Sequence, residues 1–168
     1  TALQNGVGMV QYRCKAGNDR ERLQEAQQLR QLCNSYGALL FINDRVDLAL
    51  AVDADGVHLG QEDMPCEVAR DLLGCDRLLG RSTHNMDQVH RAQQEPIDYL
   101  GFGPIHSTAV KPERNPVGVE LLAKATAISQ RPVFAIGGIT PDNLQALIAA
   151  GGRRVAVIGA IMQADDVG

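Results

Sequence analysis

The chain has 168 residues, 45% of them hydrophobic and 4% aromatic, and its formal net charge at pH 7 is −4. This length and composition predict one globular domain whose core is filled by aliphatic side chains. The acidic balance argues against a general nucleic-acid binder, which needs a basic surface, and no apolar run approaches the length of a membrane span.

Short apolar runs alternate with amphipathic segments along the chain. The apolar runs predict strands at 8–13, 38–44, 55–60, 77–82, 98–103, 132–138 and 154–159. Helical periodicity and end signals, such as Gly37 after the first amphipathic segment, indicate the helices. These are predicted at 19–37, 45–53, 65–74, 86–95, 119–129 and 141–151.

Strands that alternate with helices pair in parallel through right-handed crossovers, which leaves a (β/α)8 TIM barrel or an open doubly wound sheet. Polar residues follow nearly every predicted strand, and a barrel gathers such residues on one rim, so the α/β barrel is favoured. A barrel typically needs about 200 residues or more. We therefore expect a single TIM-barrel domain over 1–168 that lacks its first strand and its last helix.

The cysteines predict the redox state of the chain. Cys14, Cys33, Cys66 and Cys75 form no C-x-x-C pair and have no histidine at zinc-finger spacing. Free thiols in a reducing compartment are the expected state. No signal peptide is visible, so the cytoplasm is the expected location.

The strand segment "VQYRCK" carries polar residues at alternate positions. Gln11, Arg13 and Lys15 share one face, because side chains alternate across a strand. A buried cation without a partner is costly, so this face predicts a charged partner. Arg13 and Lys15 can offset phosphate charge.

Further polar residues and glycines follow the later strands, and in a barrel they would meet at one mouth. They are Asn43, Asp44, Asp63, Ser82, Thr108, Lys111, Gly137, Gly138 and Gly159. A Mg²⁺ between Asp44 and Asp63 would let these carboxylates lie beside phosphate, since Mg²⁺ takes one or two carboxylates plus phosphate oxygens and water. The glycines after the last two strands can hold a second phosphate on backbone N–H groups.

Each of these residues also has a structural interpretation. Arg13 and Lys15 can form a solvated strand end. Asp44 and Asp63 can cap the helices that follow them, and the glycines of "IGGI" can serve a tight turn. The histidines are interpreted as structural or exposed residues, namely His58 within a strand, His90 on a helix, and His84 and His106 in loops.

Seven stretches of the sequence occur in the order of one enzyme family. They are "VQYRCK", "FINDRVDLAL", "ADGVHLGQEDMP", "GRSTHN", "DYLGFGPIHSTAVK", "PVFAIGGI" and "VAVIGAI". Through them nearly the whole chain resembles the thiamine phosphate synthase and thiazole tautomerase family, and "NDRVDLAL" followed by "GVHLGQED" is highly specific. The resemblance implies a (β/α)8 barrel.

The resemblance also implies a reaction and the residues that carry it. The synthase is a transferase that joins 4-amino-5-hydroxymethyl-2-methylpyrimidine diphosphate to a thiazole phosphate and releases pyrophosphate with Mg²⁺. Pyrophosphate would be bound by Gln11, Arg13, Lys15 and Asn43, and Mg²⁺ by Asp44 and Asp63.

The remaining roles implied by the resemblance fall on later strands. Ser82 would lie beside the pyrimidine diphosphate. Thr108 and Lys111 would bind substrate from the loop after the fifth strand, with Lys111 near the leaving group. The thiazole phosphate would be held by Gly138, Ile158 and Gly159. The expected catalytic residues are Arg13, Ser82 and Lys111.

Four positions depart from the family pattern. Cys14 stands where an acidic or other polar residue is usual, Gly159 where a serine is common, and His106 where an aromatic residue is usual. The tautomerase uses a histidine where this chain has Pro104, which favours the synthase. The alternatives are a thiazole tautomerase and a non-catalytic protein that only binds thiamine intermediates. Small molecules are the expected partners, and homo-oligomerisation is left open.

Overall fold

Strands and helices alternate in the computed structural model, which describes residues 1–108 and 114–164. The strands are β1 (Met9–Tyr12), β2 (Leu39–Asn43), β3 (Gly56–Leu59), β4 (Leu78–Thr83), β5 (Tyr99–Phe102), β6 (Val133–Ile136) and β7 (Val155–Ala156). The helices are α1 (Asp19–Tyr36), α2 (Val46–Ala51), α3 (Cys66–Leu73), α4 (Met86–Ala92), α5 (Gly118–Ile128), α6 (Pro141–Ala149) and α7 (Gly159–Met162). The predicted alternation is confirmed, with most element ends within two residues of the predicted ones.

Helix α1 shows how local sequence sets the ends of an element. Asn18 accepts the backbone N–H of Glu21 at 3.0 Å, and the Glu21 carboxylate accepts the N–H of Asn18 at 3.1 Å. This reciprocal capping box satisfies donors that have no partner within the helix. The helix ends at Gly37, whose φ of 64° lies in the left-handed region that favours glycine. The predicted stop at Gly37 is therefore confirmed.

The chain divides into two compact units, and the first comprises Thr1–Gly80. Within it β1 pairs with β2 in parallel, from Met9↔Leu39 to Tyr12↔Ile42, and β2 pairs with β3 in parallel from Phe41↔Gly56 to Asn43↔His58. Parallel strands end at the same edge of a sheet. The residues that follow these three strands therefore start from one edge of the first unit.

The second unit begins at Arg81, within β4. There β5 pairs with β6 and β6 pairs with β7, both in parallel. The buried Thr83 hydroxyl donates to the carbonyl of Gly101 at 3.0 Å, which joins the end of β4 to β5. The prediction of one domain over 1–168 stays a prediction.

Strand β7 is shorter than the predicted segment 154–159. It covers Val155–Ala156, both exposed, and its last partner on β6 is Ile136. Gly137 follows that partner with a φ of 91°, which turns β6 away from the extended conformation. The backbone beyond Ala156 therefore has no β6 residue to pair with, and Gly159 begins α7 instead.

Aliphatic and small side chains fill the interior, as predicted. Phe41 and Val57 are fully buried in the first unit, as are Leu100 and Leu147 in the second. The predictions that His58 is a buried strand residue, that His90 is exposed and that the cysteines are free thiols are confirmed. In the described part of the chain, no helix has the length and apolar character needed to cross a membrane.

A partly buried ion pair stabilises the first unit. One Asp55 oxygen accepts a guanidinium N–H of Arg30 at 2.5 Å and the backbone N–H of Leu40 at 2.6 Å. The Arg30 side chain is 15% exposed and that of Asp55 is 32% exposed. Removing the carboxylate would leave a mostly buried cation and a strand N–H without this acceptor.

We expect Asp55→Ala to lower the free energy of unfolding by about 2–4 kcal/mol, because charged hydrogen bonds to poorly hydrated groups are costly to break. Urea denaturation of the purified chain measures this change. The matched control is Asp47→Ala, which removes an exposed partner of Arg45 and should cost less than about 1 kcal/mol. Equal losses of unfolding free energy in the two variants would contradict the claim that burial makes the Arg30–Asp55 pair the more stabilising one.

Candidate functional site

Two aspartates meet where β2 and β3 end. Asp44 follows β2, and its backbone N–H donates to the carbonyl of His58 at 2.9 Å, so the sheet fixes its position. Its φ is 65°, a left-handed value that is uncommon outside glycine but is tolerated by aspartate. Its carboxyl group hydrogen-bonds with that of Asp63. The structure thus brings together the two residues predicted to bind metal.

The electrostatics of this contact are unfavourable for two negative charges. Burial contributes most, and the hydrogen bond and negative charge of Asp63 add to it, so that together they raise the pKa of Asp44 from its ordinary value of 3.8 to about 6. A hydrogen bond with Asn43 and the positive charge of Arg13 act in the opposite direction on the same pKa. A cation placed between the carboxylates would relieve the repulsion.

Neither aspartate caps a helix, so the capping interpretation is wrong for both. The residue at the N-cap of α2 is Arg45 and that of α3 is Pro65, and neither forms a side-chain capping hydrogen bond. The Asp63 carboxylate instead accepts the backbone N–H of Gly60 at 2.6 Å. Both carboxylates are therefore directed to the strand ends by contacts other than capping.

The polar face of β1 lies in the same unit. Arg13 is half-buried, and its charge acts on Asp44, which places the guanidinium near the acidic pair. Gln11 and Lys15 are exposed. On the opposite face, the Tyr12 hydroxyl donates to Glu25 at 2.5 Å, and burial together with this bond raises the pKa of Tyr12 above its ordinary range.

A cavity of 210 Å³ opens beside the ends of β1 and β2. Three of the predicted site residues line it, namely Lys15, Asn43 and Asp44. The other lining residues are Tyr12, Cys14, Arg22, Ile42, Arg45 and Leu48. The thiol of the lining residue Cys14 donates to the carbonyl of Ala16 at 3.1 Å.

Arg45 forms an ion-pair network that the sequence analysis missed. Its guanidinium donates to both oxygens of Asp47, at 2.8 and 2.6 Å, and to Asp19 at 3.0 Å. These bonds connect the first turn of α1 with the first turn of α2, beside the loops that carry Lys15 and Asp44. The charge alternation of "NDRVD" was the available signal, but pairing with Asp19 depends on the fold.

The glycine turn after β6 packs against the loop after β5 within the second unit. Both Gly137 and Gly138 have positive φ, at 91° and 65°. A Cβ on Gly137 would lie 2.5 Å from the Cβ of Pro104, and one on Gly138 would lie 2.5 Å from the carbonyl oxygen of Ser107. Turn conformation and close packing account for both glycines, so their phosphate-binding role stays a prediction.

The other predicted residues of the second unit are dispersed over several elements. Ser82 is half-buried in β4, and Thr108 is half-buried in the loop after β5. Ile158 is exposed at the N-cap of α7, followed by Gly159. A Cβ on Gly159 would lie 3.6 Å from its nearest neighbour, so a side chain would fit there. Lys111 lies outside the described residues.

Two loop histidines differ in their contacts. His84 lies just beyond β4, with Nδ1 2.6 Å from the carbonyl oxygen of Gly103. His106 donates its backbone N–H to the carbonyl of Gly137 at 3.1 Å, and within the described residues its buried Nε2 has no hydrogen-bond partner. Both lie in loops, as predicted.

The donor set of the first unit suits a hard divalent cation. Among residues 1–108 and 114–164, no group of three or more His, Cys, Asp or Glu side chains could hold a metal ion. The contact between Asp44 and Asp63 supplies two carboxyl groups, whose oxygens are hard donors. Mg²⁺ is usually bound by one or two carboxylates together with substrate phosphates and water, so this pair fits that ion.

Known proteins are similar in sequence to this chain. A family model for thiamine monophosphate synthase matches residues 1–161. This chain belongs to the thiamine monophosphate synthase family. The thiamine-phosphate synthase of Synechococcus sp. (strain CC9605) is 89% identical over 167 residues, which cover 99% of this chain and 47% of that protein. That of Parasynechococcus marenigrum (strain WH8102) is 64% identical, over 99% of this chain and 48% of the relative.

This family member therefore spans just under half the length of those two relatives. Among solved structures, thiamine phosphate pyrophosphorylase from Pyrococcus furiosus is 42% identical with a TM-score of 0.92, covering 99% of this chain and 80% of that one. A 3-hexulose-6-phosphate synthase matches with a TM-score of 0.70 at 16% identity, which shows the fold alone. The predicted fold class, an α/β fold of the TIM-barrel type, is confirmed.

Asp44→Asn should increase the stability of this family member when divalent cations are removed by EDTA. The substitution eliminates a half-buried negative charge that lies against Asp63. Because the folded-state pKa, about 6, exceeds the ordinary 3.8, the unsubstituted chain should become more stable as pH falls from about 6 to about 4, and the variant should lack this component.

Urea denaturation in EDTA at several pH values, compared between the two proteins, measures the effect. The stability difference should be largest near neutral pH and should shrink toward about pH 4. Asp71→Asn, at an exposed position of α3, is the control for a change of net charge. A difference that does not vary with pH would contradict the account of the acidic contact.

Proposed function

We propose that this chain carries the thiamine phosphate synthase activity of its family. The proposal rests on the contact between Asp44 and Asp63 beside Arg13, in a chain that matches the family model over residues 1–161. Two acidic groups and a guanidinium at the ends of neighbouring strands are suited to a diphosphate bound with a cation. A capping or solvated role explains this combination less well, because neither aspartate caps a helix.

The proposed reaction joins two small molecules. The C–O bond between the pyrimidine methylene carbon and the diphosphate breaks, and the electron pair leaves with pyrophosphate. The electron-rich pyrimidine carries the resulting cation until the ring nitrogen of the thiazole phosphate forms the new C–N bond. No nucleophilic side chain is required.

The main task of the protein is then to stabilise charge that develops on the leaving group. Arg13 would donate to the diphosphate, with Gln11, Lys15 and Asn43 as further donors. Interactions that strengthen as negative charge grows lower the barrier to the chemical step. Exposure of Gln11 and Lys15 leaves both side chains accessible to a ligand.

Asp44 and Asp63 are the proposed Mg²⁺ ligands. When bound, Mg²⁺ would neutralise diphosphate charge, and the ion requires the oxygen donors that these side chains supply. The contact between the two carboxyl groups supports this assignment, since a half-buried pair of acids is unfavourable without a cation.

The predicted residues of the second unit are also proposed to bind substrate. Ser82 would lie beside the pyrimidine diphosphate, and Thr108 and Lys111 would bind substrate from the loop after β5, with Lys111 near the leaving group. Gly138 and the backbone at Ile158 and Gly159 would bind the thiazole phosphate. A glycine at position 138 would let the backbone approach a phosphate closely. The proposed partners are small-molecule substrates, not nucleic acid or membrane.

A coupling assay distinguishes this proposal from its alternatives. The full chain is supplied with the pyrimidine diphosphate, the thiazole phosphate and Mg²⁺, and thiamine phosphate and pyrophosphate are quantified. Mg²⁺-dependent formation of both products supports the synthase. Isomerised thiazole phosphate without coupling would indicate the tautomerase, and tight binding of both substrates without turnover would indicate a non-catalytic protein.

Arg13→Ala and Asp63→Ala should each lower kcat by at least about tenfold, and by two to three orders of magnitude if the full transition-state contribution is lost. The matched controls are Arg20→Ala and Glu62→Ala, which remove the same types of charge at exposed neighbouring positions. Steady-state kinetics measures all four variants. Near-normal turnover in both site variants would refute the assignment of these residues.

A further inference from the structure

The turn after β3 holds one oxygen of Asp63 in a defined position. The backbone N–H of Gly60 donates to Asp63 Oδ2 at 2.6 Å. In the same turn the backbone N–H of Asp63 faces the carbonyl oxygen of Gly60 at 3.4 Å. The carboxylate is thus fixed from within its own loop, and Oδ1 is the oxygen not engaged by this N–H.

Position 60 needs a glycine because of the nearby Asp63 carboxylate, and not because of its backbone conformation. Its φ lies outside the left-handed region, whereas an added Cβ would lie 2.8 Å from Asp63 Oδ2 and 3.8 Å from Asp63 Cγ. Real Cβ atoms are not found so close to another atom, so a side chain here would push the carboxylate away. The displaced group is the end of a flexible side chain, which can move without unfolding the unit.

We propose that Gly60 is a positioning residue that makes Asp63 a single-oxygen ligand and thereby favours Mg²⁺ over Ca²⁺. This inference rests on the proposed metal-binding role of Asp63. Ca²⁺ commonly takes both oxygens of a carboxylate and six to eight ligands in all, whereas Mg²⁺ is smaller and takes oxygens in octahedral geometry. An N–H bond to Oδ2 disfavours two-oxygen binding by Asp63 and leaves Oδ1 for the ion.

The decisive comparison is Gly60→Ala against Gly8→Ala. An added Cβ at Gly8, just before β1, meets nothing within 4 Å, so that variant is the matched control. Thermal unfolding of the full chain is followed in EDTA and then with Mg²⁺ or Ca²⁺ added in the presence of inorganic pyrophosphate. This readout reports metal binding without relying on turnover.

We expect Gly60→Ala to unfold in EDTA close to the temperature of the unsubstituted chain. Its half-saturating Mg²⁺ concentration should rise by at least about tenfold, as is typical when a group that orients a metal ligand is lost. The ratio of its half-saturating Ca²⁺ concentration to its half-saturating Mg²⁺ concentration should become smaller. Gly8→Ala should match the unsubstituted chain in both respects. Unchanged Mg²⁺ binding by Gly60→Ala, or a loss explained entirely by lower stability in EDTA, would overturn the proposal.

Two further arms separate this inference from the proposed function. If Asp63→Asn abolishes the Mg²⁺ effect while Gly60→Ala preserves it, only the positioning role of Gly60 fails. If Asp63→Asn also preserves it, the metal role of Asp63 fails, and the inference fails with it. The unsubstituted chain should bind Mg²⁺ at least about tenfold more tightly than Ca²⁺, and equal binding would overturn the selectivity claim even if no variant folds.

Discussion

The candidate site of the first unit depends on one contact, that between the carboxyl groups of Asp44 and Asp63. Two acids in a half-buried position repel when both are charged, and burial, followed by the hydrogen bond and charge of Asp63, raises the pKa of Asp44. The arrangement persists because backbone bonds determine both positions. The sheet holds Asp44 through the carbonyl of His58, and the turn after β3 holds Asp63 through the N–H of Gly60.

This arrangement links stability to the proposed chemistry. A site that must bind a cation and a diphosphate has to present carboxylates and a guanidinium before either ligand arrives, and such preorganisation avoids rearrangement during the reaction. The same groups lower the stability of the folded unit when no cation is present, and such a trade-off between activity and stability is common. Aliphatic packing and ion pairs such as Arg30–Asp55 stabilise the unit around them.

Much of this organisation could be predicted from the sequence because it follows from periodicity and order. Alternating apolar and amphipathic segments predicted the strands and helices, and the placement of Asp44 and Asp63 after neighbouring strands predicted their proximity. The length of β7 could not be predicted, since it depends on where Gly137 turns its partner strand away.

The finer details of the site depend on contacts that a linear pattern does not contain. Capping was a reasonable expectation for an aspartate before a helix, yet the Asp63 side chain bonds to a residue that precedes it. The three-residue spacing from Gly60 was the visible signal. The salt bridge between Arg45 and Asp19 joins residues far apart in sequence, so it depends on how the first unit folds.

The central claim is that these two carboxylates bind the cation that accompanies pyrophosphate. Anomalous diffraction from crystals grown with Mn²⁺ and pyrophosphate tests it most directly, because Mn²⁺ replaces Mg²⁺ at oxygen sites and can be located by its scattering. The account predicts a peak within about 2.0–2.3 Å of one oxygen from each of Asp44 and Asp63. Bound pyrophosphate with Mn²⁺ located away from both carboxylates would contradict it.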